Sequence, residues 1–299
     1  MFTSEKRCKT AYLFTMFIFG TIGIFRRWID LPSAVIVLFR CVIGVLLLLI
    51  VMLSCGKKPE LSNLGRSLPK LILSGLFLGF NWVLLFEAYN LTSVAVATLC
   101  YYMAPVIVVL LSPLLFGEHL GPLKLLFTAL ALVGMIFVSG VYRTGFGTAA
   151  GMSGIMVGLG AAVFYAALII SNKKITGVDA LEKTVIQLAS AALIVLIYVL
   201  LRGDFSGIQW TSRSVALLLV VGIVHTGIAY LLYVGSMEKL NAQTVAFYGY
   251  IDPIVAILSS ALLLHEHLGP GEIIGSILIL GASFMSDFVG NRTVAGTEP

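Results

Sequence analysis

Ionisable side chains inside long apolar segments are the residues of this chain best suited to chemistry. Asp252 lies directly before Pro253 in the segment YIDPIVAILSSALLL, and His225 precedes Thr226 in another apolar segment. A carboxylate beside a proline break could bind a substrate amine or carry a proton, and a histidine could pair with it. Each could instead hold two helices together. Asp252 and His225 are therefore candidates for substrate binding and proton coupling.

Two further charges lie at similar predicted depths below the same surface of the molecule. Arg40 stands within the second apolar segment and Glu87 stands near the end of the third. The matching depths predict an ion pair between Arg40 and Glu87, and removing one partner of a buried pair costs about 3–5 kcal/mol. The pair could be structural or could act as a gate. Glu87 is also a third candidate for proton coupling.

Aromatic and amide side chains occupy the centres of several apolar segments rather than only their ends. Tyrosines deep in a bilayer need a hydroxyl partner or water, so such residues are expected to line a cavity. Aromatic packing between helices would give the same pattern. The predicted cavity residues are Asn81, Trp82, Tyr101, Tyr102, His225, Tyr230, Tyr248, Tyr250 and Asp252.

The composition requires that these residues sit in a membrane. The mean hydropathy is +1.05 and only 11% of residues are charged, against about 25% in a soluble domain. Segments of about 20 apolar residues cross a bilayer as helices. The ten predicted spans are 10–29, 32–54, 69–91, 93–116, 122–141, 152–171, 182–201, 214–236, 243–264 and 269–288. The lipid bilayer is therefore a partner of the chain.

Lysine and arginine predict the orientation of these spans. With the N-terminus in the cytoplasm, thirteen of the 19 basic residues fall on the cytoplasmic side and five on the other, while Arg40 lies within a span. Basic residues accumulate on cytoplasmic loops. Both termini are therefore predicted to be cytoplasmic.

One stretch occurs twice in the chain. YMAPVIVVLLSPLLFGEHLGP, residues 102–122, matches residues 250–270 at 11 of 21 positions after a shift of 148 residues. The chain therefore divides into two repeats, 1–148 and 149–299, of five predicted spans each. Because five is odd, the second repeat enters the membrane from the opposite side, which is typical of alternating-access transporters. A pore and a membrane-embedded enzyme are the alternatives.

Two features of the doubled stretch have predicted structural roles. Pro105 and Pro253 occupy matching positions, and each is a predicted hinge because proline interrupts a helix. The shared ending Glu-His-Leu-Gly-Pro, at Glu118 and Glu266, is predicted to close one helix and start the next, or to act as a gate. Three glycine pairs predict close helix packing: Gly75 with Gly79, Gly154 with Gly158, and Gly271 with Gly275.

No catalytic or cofactor motif accompanies these features. His265-Glu266-His267 resembles part of a zinc signature, but the second histidine of HExxH would stand at Gly269. The four cysteines show no CxxC pairing. We therefore predict no metal, no cofactor, no catalytic residue, no enzymatic activity and no nucleic-acid partner. Each repeat can bury the other, so monomer and homodimer both remain open.

These residues resemble the drug/metabolite transporter superfamily, and specifically its EamA-type branch. The resemblance is carried by Phe19-Gly20, Phe39-Arg40, the segment 95–118 with Pro105, the segment 225–233 and the segment 252–266. It implies a carrier of the bacterial inner membrane that exports amino acids or related small metabolites. It also implies a central cavity between the repeats. An uncoupled facilitator of nucleosides, drugs or other metabolites is the alternative.

Overall fold

The computed structural model is helical throughout the residues it describes, which are 5–56, 65, 67–116, 121–139, 149–175, 177–237, 240, 248–249 and 251–295. No strand occurs among them. The helices are α1 (Glu5–Trp28), α2 (Ser33–Ser54), α3 (Leu68–Leu91), α4 (Val94–Tyr101), α5 (Ala104–Phe116), α6 (Pro122–Ser139), α7 (Ala149–Lys173), α8 (Ala180–Arg202), α9 (Ser212–Val220), a π-helical segment (Val221–Ile228), α10 (Ala229–Met237), α11 (Ile251–Leu263) and α12 (Pro270–Ala295).

Several of these helices, alone or joined with the next in sequence, are long and apolar enough to cross a bilayer. Within the described residues, seven stretches meet that requirement, and three shorter apolar helices, Leu125–Val138, Ile251–Leu263 and Pro270–Ala282, coincide with other predicted spans. The seven stretches are Lys6–Trp28, Ser33–Ser54, Leu68–Leu91, Val94–Leu111, Met152–Asn172, Ala180–Arg202 and Ser212–Tyr233. The prediction of an all-helical membrane protein is confirmed, while ten spans remain a prediction.

The fourth predicted span, 93–116, is broken rather than continuous. Helix α4 ends at Tyr101 and α5 begins at Ala104. Pro105 explains the break, because proline lacks a backbone N–H and its ring would clash with the carbonyl four residues earlier. At the break the N–H of Met103 bonds to the Cys100 carbonyl at 3.1 Å, three residues back rather than four. Proline therefore starts a new helix here.

The eighth predicted span contains a different irregularity. Residues Val221–Ile228 form a π-helix between α9 and α10. The Thr226 hydroxyl donates to the Val221 carbonyl at 3.2 Å, five residues back, which is the spacing of a π turn. This wider turn changes which way His225 and Thr226 face. π-Helical segments are frequent at functional sites.

Glycines allow the closest helix contacts. A Cβ on Gly134 of α6 would lie 2.9 Å from the Gly275 carbonyl oxygen of α12, and a Cβ on Gly75 of α3 would lie 2.6 Å from the Gln187 carbonyl oxygen of α8. Any side chain at these positions would push the helices apart. The predicted packing role of Gly75 and Gly275 is confirmed.

Helix contacts between the two predicted repeats occur in matched pairs. Helix α3 packs on α7, and α10 packs on α1, which is the same contact with the repeats exchanged. Likewise α2 packs on the π-helical segment and α8 packs on α3, while α1 packs on α11 and α7 packs on α4 and α5. Helices α6 and α12, which are counterparts, pack on each other. The core therefore lies between the repeats.

Candidate functional site

A cavity of about 760 Å³ lies between helices of the two predicted repeats. Helices of both repeats line it, and its volume falls within the range of about 300–1,000 Å³ that is usual for small-molecule sites. Its walls are rich in aromatic side chains. The aromatic lining residues are Tyr12, Phe19, Trp82, Phe86, Tyr89, Tyr101, Tyr102, Tyr165, Tyr230 and Tyr233.

The aromatic rings contact one another in groups rather than standing alone. Tyr230 packs edge-to-face on Trp82, with ring centroids 5.9 Å apart, and on Phe19 at 5.5 Å. Tyr101 stacks on Tyr165 at 4.8 Å, which joins α4 to α7. Such walls accept apolar or flat groups, while the tyrosine hydroxyls provide hydrogen bonds.

Polar side chains interrupt these walls at a few positions. They are Arg40, Asn81, Thr98, Asn172, Lys183, Thr184, Gln187 and Asp252. Among the described lining residues, Asp252 is the one acidic side chain, and Arg40 and Lys183 are the basic ones. The cavity therefore combines separate charges of both signs with an apolar body.

Asp252 lies in the first turn of α11, where the helix dipole favours a negative charge. The Tyr102 hydroxyl donates to Asp252 Oδ2 at 2.8 Å. Tyr102 stands at the break between α4 and α5, so the break brings the two copies of the doubled stretch into contact. Helix α1 approaches at Gly20, where a Cβ would lie 2.6 Å from the Asp252 backbone oxygen.

Arg40 is almost fully enclosed, with 2% of its surface exposed. Its Nε donates to Thr226 Oγ1 at 3.0 Å, and its Cζ lies 3.9 Å from the centroid of the Trp82 ring. A guanidinium over an indole face forms a favourable cation–π contact. The π-helical segment places Thr226 where it can fix the guanidinium.

The structure does not bring Arg40 and Glu87 together. Glu87 Oε2 instead accepts hydrogen bonds from Ser33 Oγ at 2.7 Å and from Asn90 Nδ2 at 3.1 Å. Ser33 stands seven residues before Arg40, which is about 10 Å along a helix. Matching depths by counting residues therefore placed Arg40 too close to the helix end. The cation near Glu87 is Arg26, whose Nη2 donates to Ser33 Oγ at 3.0 Å.

His225 is likewise separate from Asp252. Its Nε2 lies 3.1 Å from Thr21 Oγ1, and its ring packs edge-to-face on Phe25 with centroids 4.7 Å apart. His225 is buried, and it does not line the cavity. This geometry matches the alternative interpretation of His225 as a hydrogen-bonding contact between helices. Its neighbour Thr226 is the residue that contacts a cavity-lining side chain.

The remaining predicted residues divide between the cavity and its surroundings. Asn81, Trp82, Tyr101, Tyr102 and Tyr230 all line the cavity.

Tyr248 is partly buried and is not a lining residue, and Tyr250 lies outside the described residues. Pro105 lines the cavity at the start of α5, while Pro253 is buried in the first turn of α11. Pro105 follows the break after Tyr101, so a hinge at Pro105 would act at a helix start.

The predicted cavity residues included none from α8. Gln187 Nε2 donates to Asn172 Oδ1 at 2.6 Å and to Ser74 Oγ at 2.7 Å, and Lys183 Nζ donates to the Asn172 carbonyl at 3.2 Å. Lys183, Thr184 and Gln187 share one helix face. This spacing, visible in the sequence, could have indicated a polar helix face directed at a cavity.

A helical spacing of cavity residues was also visible in α1. Tyr12, Met16 and Phe19 recur at intervals of four and three residues, and all three line the cavity.

The two ends of the cavity differ. Asn172, Ala180 and Lys183 line one end, where Ala180 is exposed, and we call this the Lys183 end. Beyond the opposite end, Glu266 accepts hydrogen bonds from the Val94 N–H, at 2.9 Å through Oε2. Arg27 Nη2 lies 3.3 Å from Glu266 Oε1 and donates to the Thr92 carbonyl at 2.7 Å.

These contacts, which we call the Glu266 cluster, join the end of α1, the start of α4 and the chain after α11. A carboxylate at the start of α4 satisfies a free N–H and meets the positive end of the helix dipole. Helix α11 ends at Leu263, and His265, two residues later, has φ 53°, the left-handed conformation that often follows a helix. The cluster lies beyond the lining residues of all three helices, so it can close this end.

Comparisons with known proteins agree with this architecture. The EamA-like transporter family matches the chain twice, over residues 10–140 and 152–286. The chain is 31% identical to an uncharacterized transporter of Bacillus subtilis, YxxF, over 85% of this chain and 82% of that protein. It is 27% identical to protein RarD of Salmonella typhi, over 68% of this chain and 67% of that protein.

A solved crystal structure has the same fold. It superposes with a TM-score of 0.68 at 18% identity, covering 97% of this chain and 99% of the other. Together, the two matches to one family and the helical cavity identify a multi-pass membrane transporter rather than an enzyme. The chain belongs to the EamA-like transporter family.

Proposed function

We propose that this protein is a secondary transporter that exports a small metabolite, such as an amino acid or related compound, across the bacterial inner membrane. The observation that carries the proposal is the cavity between the repeats, which holds Asp252 and Arg40 within aromatic walls. A zwitterion with an apolar side chain matches this combination of groups. Export as the direction follows from the family resemblance.

We propose further that the two repeats are inverted. The doubled stretch, the two family matches and the exchanged helix contacts support two structurally equivalent halves. Five spans in each half would give them opposite orientations. Substrate sites of such transporters lie near the middle of the membrane, between the halves. The cavity between helices of the two halves supports this arrangement.

The difference between the two cavity ends supports alternating access. The Glu266 cluster closes one end, while the Lys183 end reaches the surface. By the distribution of basic residues, the Lys183 end faces the cytoplasm, with both termini. The structure would then correspond to an inward-facing state. Exchanging the conformations of the halves would open the Glu266 end.

Asp252 is the proposed proton carrier. Of the three candidates, Asp252, His225 and Glu87, it alone lines the cavity. The Tyr102 hydroxyl donates to its carboxylate, and this hydrogen bond crosses between the repeats. Movement of the halves would change the bond and therefore the affinity of the carboxylate for a proton. Pro105 and Pro253, at helix starts on both sides of this contact, are the proposed hinges.

Reconstituted protein can test transport and coupling separately. We expect a proton gradient to drive accumulation of amino acids in proteoliposomes, and Asp252→Asn to abolish accumulation. Asp204→Asn is a matched control, because Asp204 lies after α8 outside the cavity. Equal accumulation by wild type and Asp252→Asn would refute coupling through Asp252. Equilibration without accumulation would indicate the alternative, an uncoupled facilitator.

A further inference from the structure

Arg40 is a buried charge without an ionic partner. Its exposed fraction is 2%, and among the described residues no carboxylate forms an ion pair with it. An uncompensated charge is unfavourable inside a protein within a membrane, where such groups are paired or face a water-filled cavity. Asp252 lines the same cavity but bonds to Tyr102 instead. The charge of Arg40 therefore remains available to a ligand.

The surroundings of Arg40 hold the guanidinium in a fixed orientation. Nε donates to Thr226 Oγ1, and the plane lies near the Trp82 ring, with Phe86 at 5.2 Å. The terminal nitrogens make no hydrogen bond to described residues, and they are not sealed from the cavity by protein atoms. Two adjacent N–H groups of a guanidinium match the two oxygens of a carboxylate.

We propose that Arg40 binds the carboxylate of the substrate inside the cavity. This inference rests on the proposed transport function and adds the substrate class, a molecule with an essential carboxylate. Asp252 then binds the ammonium of the substrate or the coupled proton, and the aromatic walls hold the apolar part. Lysine at this position would keep the charge but lose the planar, two-point contact.

Binding to the full-length protein in detergent tests the subsite with defined probes. L-Phenylalanine and 3-phenylpropionate carry the carboxylate, while L-phenylalaninamide lacks it. We expect wild type to bind both carboxylates, and Arg40→Gln to weaken each by about 10- to 100-fold, the effect of losing a hydrogen bond between charged groups. The affinity of Arg40→Lys for each carboxylate should lie between those of wild type and Arg40→Gln. Phenyl phosphate distinguishes a carboxylate subsite from a general anion site and should bind more weakly than 3-phenylpropionate.

Arg26→Gln is the matched control. Arg26 is also a buried arginine, but it donates to the Ile29 carbonyl and to Ser33 Oγ and does not line the cavity. Its replacement should leave the preference for carboxylates unchanged. Because wild type alone shows whether phenylalanine binds more tightly than its amide, the test does not depend on any variant folding.

Several outcomes would overturn the subsite. They are equal binding of phenylalanine and phenylalaninamide by wild type, no binding of either carboxylate by wild type, unweakened carboxylate binding by Arg40→Gln, and phenyl phosphate binding as tight as that of 3-phenylpropionate. Transport in proteoliposomes distinguishes failure of the Arg40 subsite from failure of the proposed transport function. Gradient-driven flux unaffected by Arg40→Gln would remove the subsite and leave the transporter standing. Absence of flux for every metabolite tested would instead remove the proposed function.

Discussion

Replacing Glu266 with glutamine should open the closed end of the cavity. The Glu266 carboxylate bonds to the Val94 N–H and pairs with Arg27, at side-chain exposures of 16% and 32%. Loss of a negative charge at a helix N-terminus costs about 0.3–2 kcal/mol. A partly exposed ion pair contributes about 0.2–1 kcal/mol. Glutamine keeps an uncharged acceptor, so we expect the closed state to lose about 1–2 kcal/mol.

This loss predicts a measurable change in access to the cavity. At about 1.4 kcal/mol per tenfold, the fraction of molecules open at the Glu266 end should rise about 5- to 30-fold. A cysteine introduced at Ala256, which lines the cavity, can report that fraction. The background should lack Cys55, the exposed native cysteine. A membrane-impermeant maleimide added on the Glu266 side should then label the cysteine about 5- to 30-fold faster in Glu266→Gln.

Glu272→Gln is the matched control for this experiment. Glu272 lies in the first turn of α12, close in sequence to Glu266, and is not part of the Glu266 cluster. Unchanged labelling in Glu266→Gln would refute the closure argument. So would equal acceleration by Glu272→Gln, because a general loosening of this surface would then explain both results.

Three further variants test the packing and the site. Gly134→Val should lower the thermal midpoint, because overpacking costs about 1–3 kcal/mol and its Cβ would meet α12 backbone; Gly281→Ala, with open space around it, should not. Asn81→Leu removes the 2.7 Å hydrogen bond to the Ala161 carbonyl and should cost about 1–3 kcal/mol in denaturant unfolding; an unchanged midpoint would contradict this. Tyr102→Phe should reduce proton-driven accumulation in proteoliposomes while leaving helix content unchanged by circular dichroism; wild-type accumulation would exclude its hydroxyl from coupling.

The sequence predicted which segments are helical better than it predicted how those helices are rotated. Apolar length placed α2 and α3 within a residue or two of their observed ends. The partner of Arg40 depended on rotation, and rotation is determined by packing against neighbouring helices. Residue counting placed Arg40 at the depth of Glu87, whereas the observed partner of Glu87 is Ser33.

Two local irregularities of the helices also limited what the sequence could predict about the site. Pro105 in the sequence indicated an interrupted helix. The sequence did not show that the helix stops at Tyr101, which leaves Tyr102 free to reach another span. The π turn was not visible at all, because it depends on which carbonyls the backbone N–H groups reach. That turn decides that Thr226, and not His225, contacts Arg40.

Under the proposed mechanism, the hydrogen bond from Tyr102 to Asp252 explains how two nearly symmetric halves could carry one proton. The shift of 148 residues places Asp252 on Ala104, so only one copy of the doubled stretch has a carboxylate. Its hydrogen-bond donor comes from the other copy. Under the proposed mechanism, exchanging the conformations of the halves cannot regenerate this contact elsewhere, because Ala104 offers no acceptor side chain. The two transport states would therefore differ in how the carboxylate is bonded, which is the condition for coupling a proton to the movement.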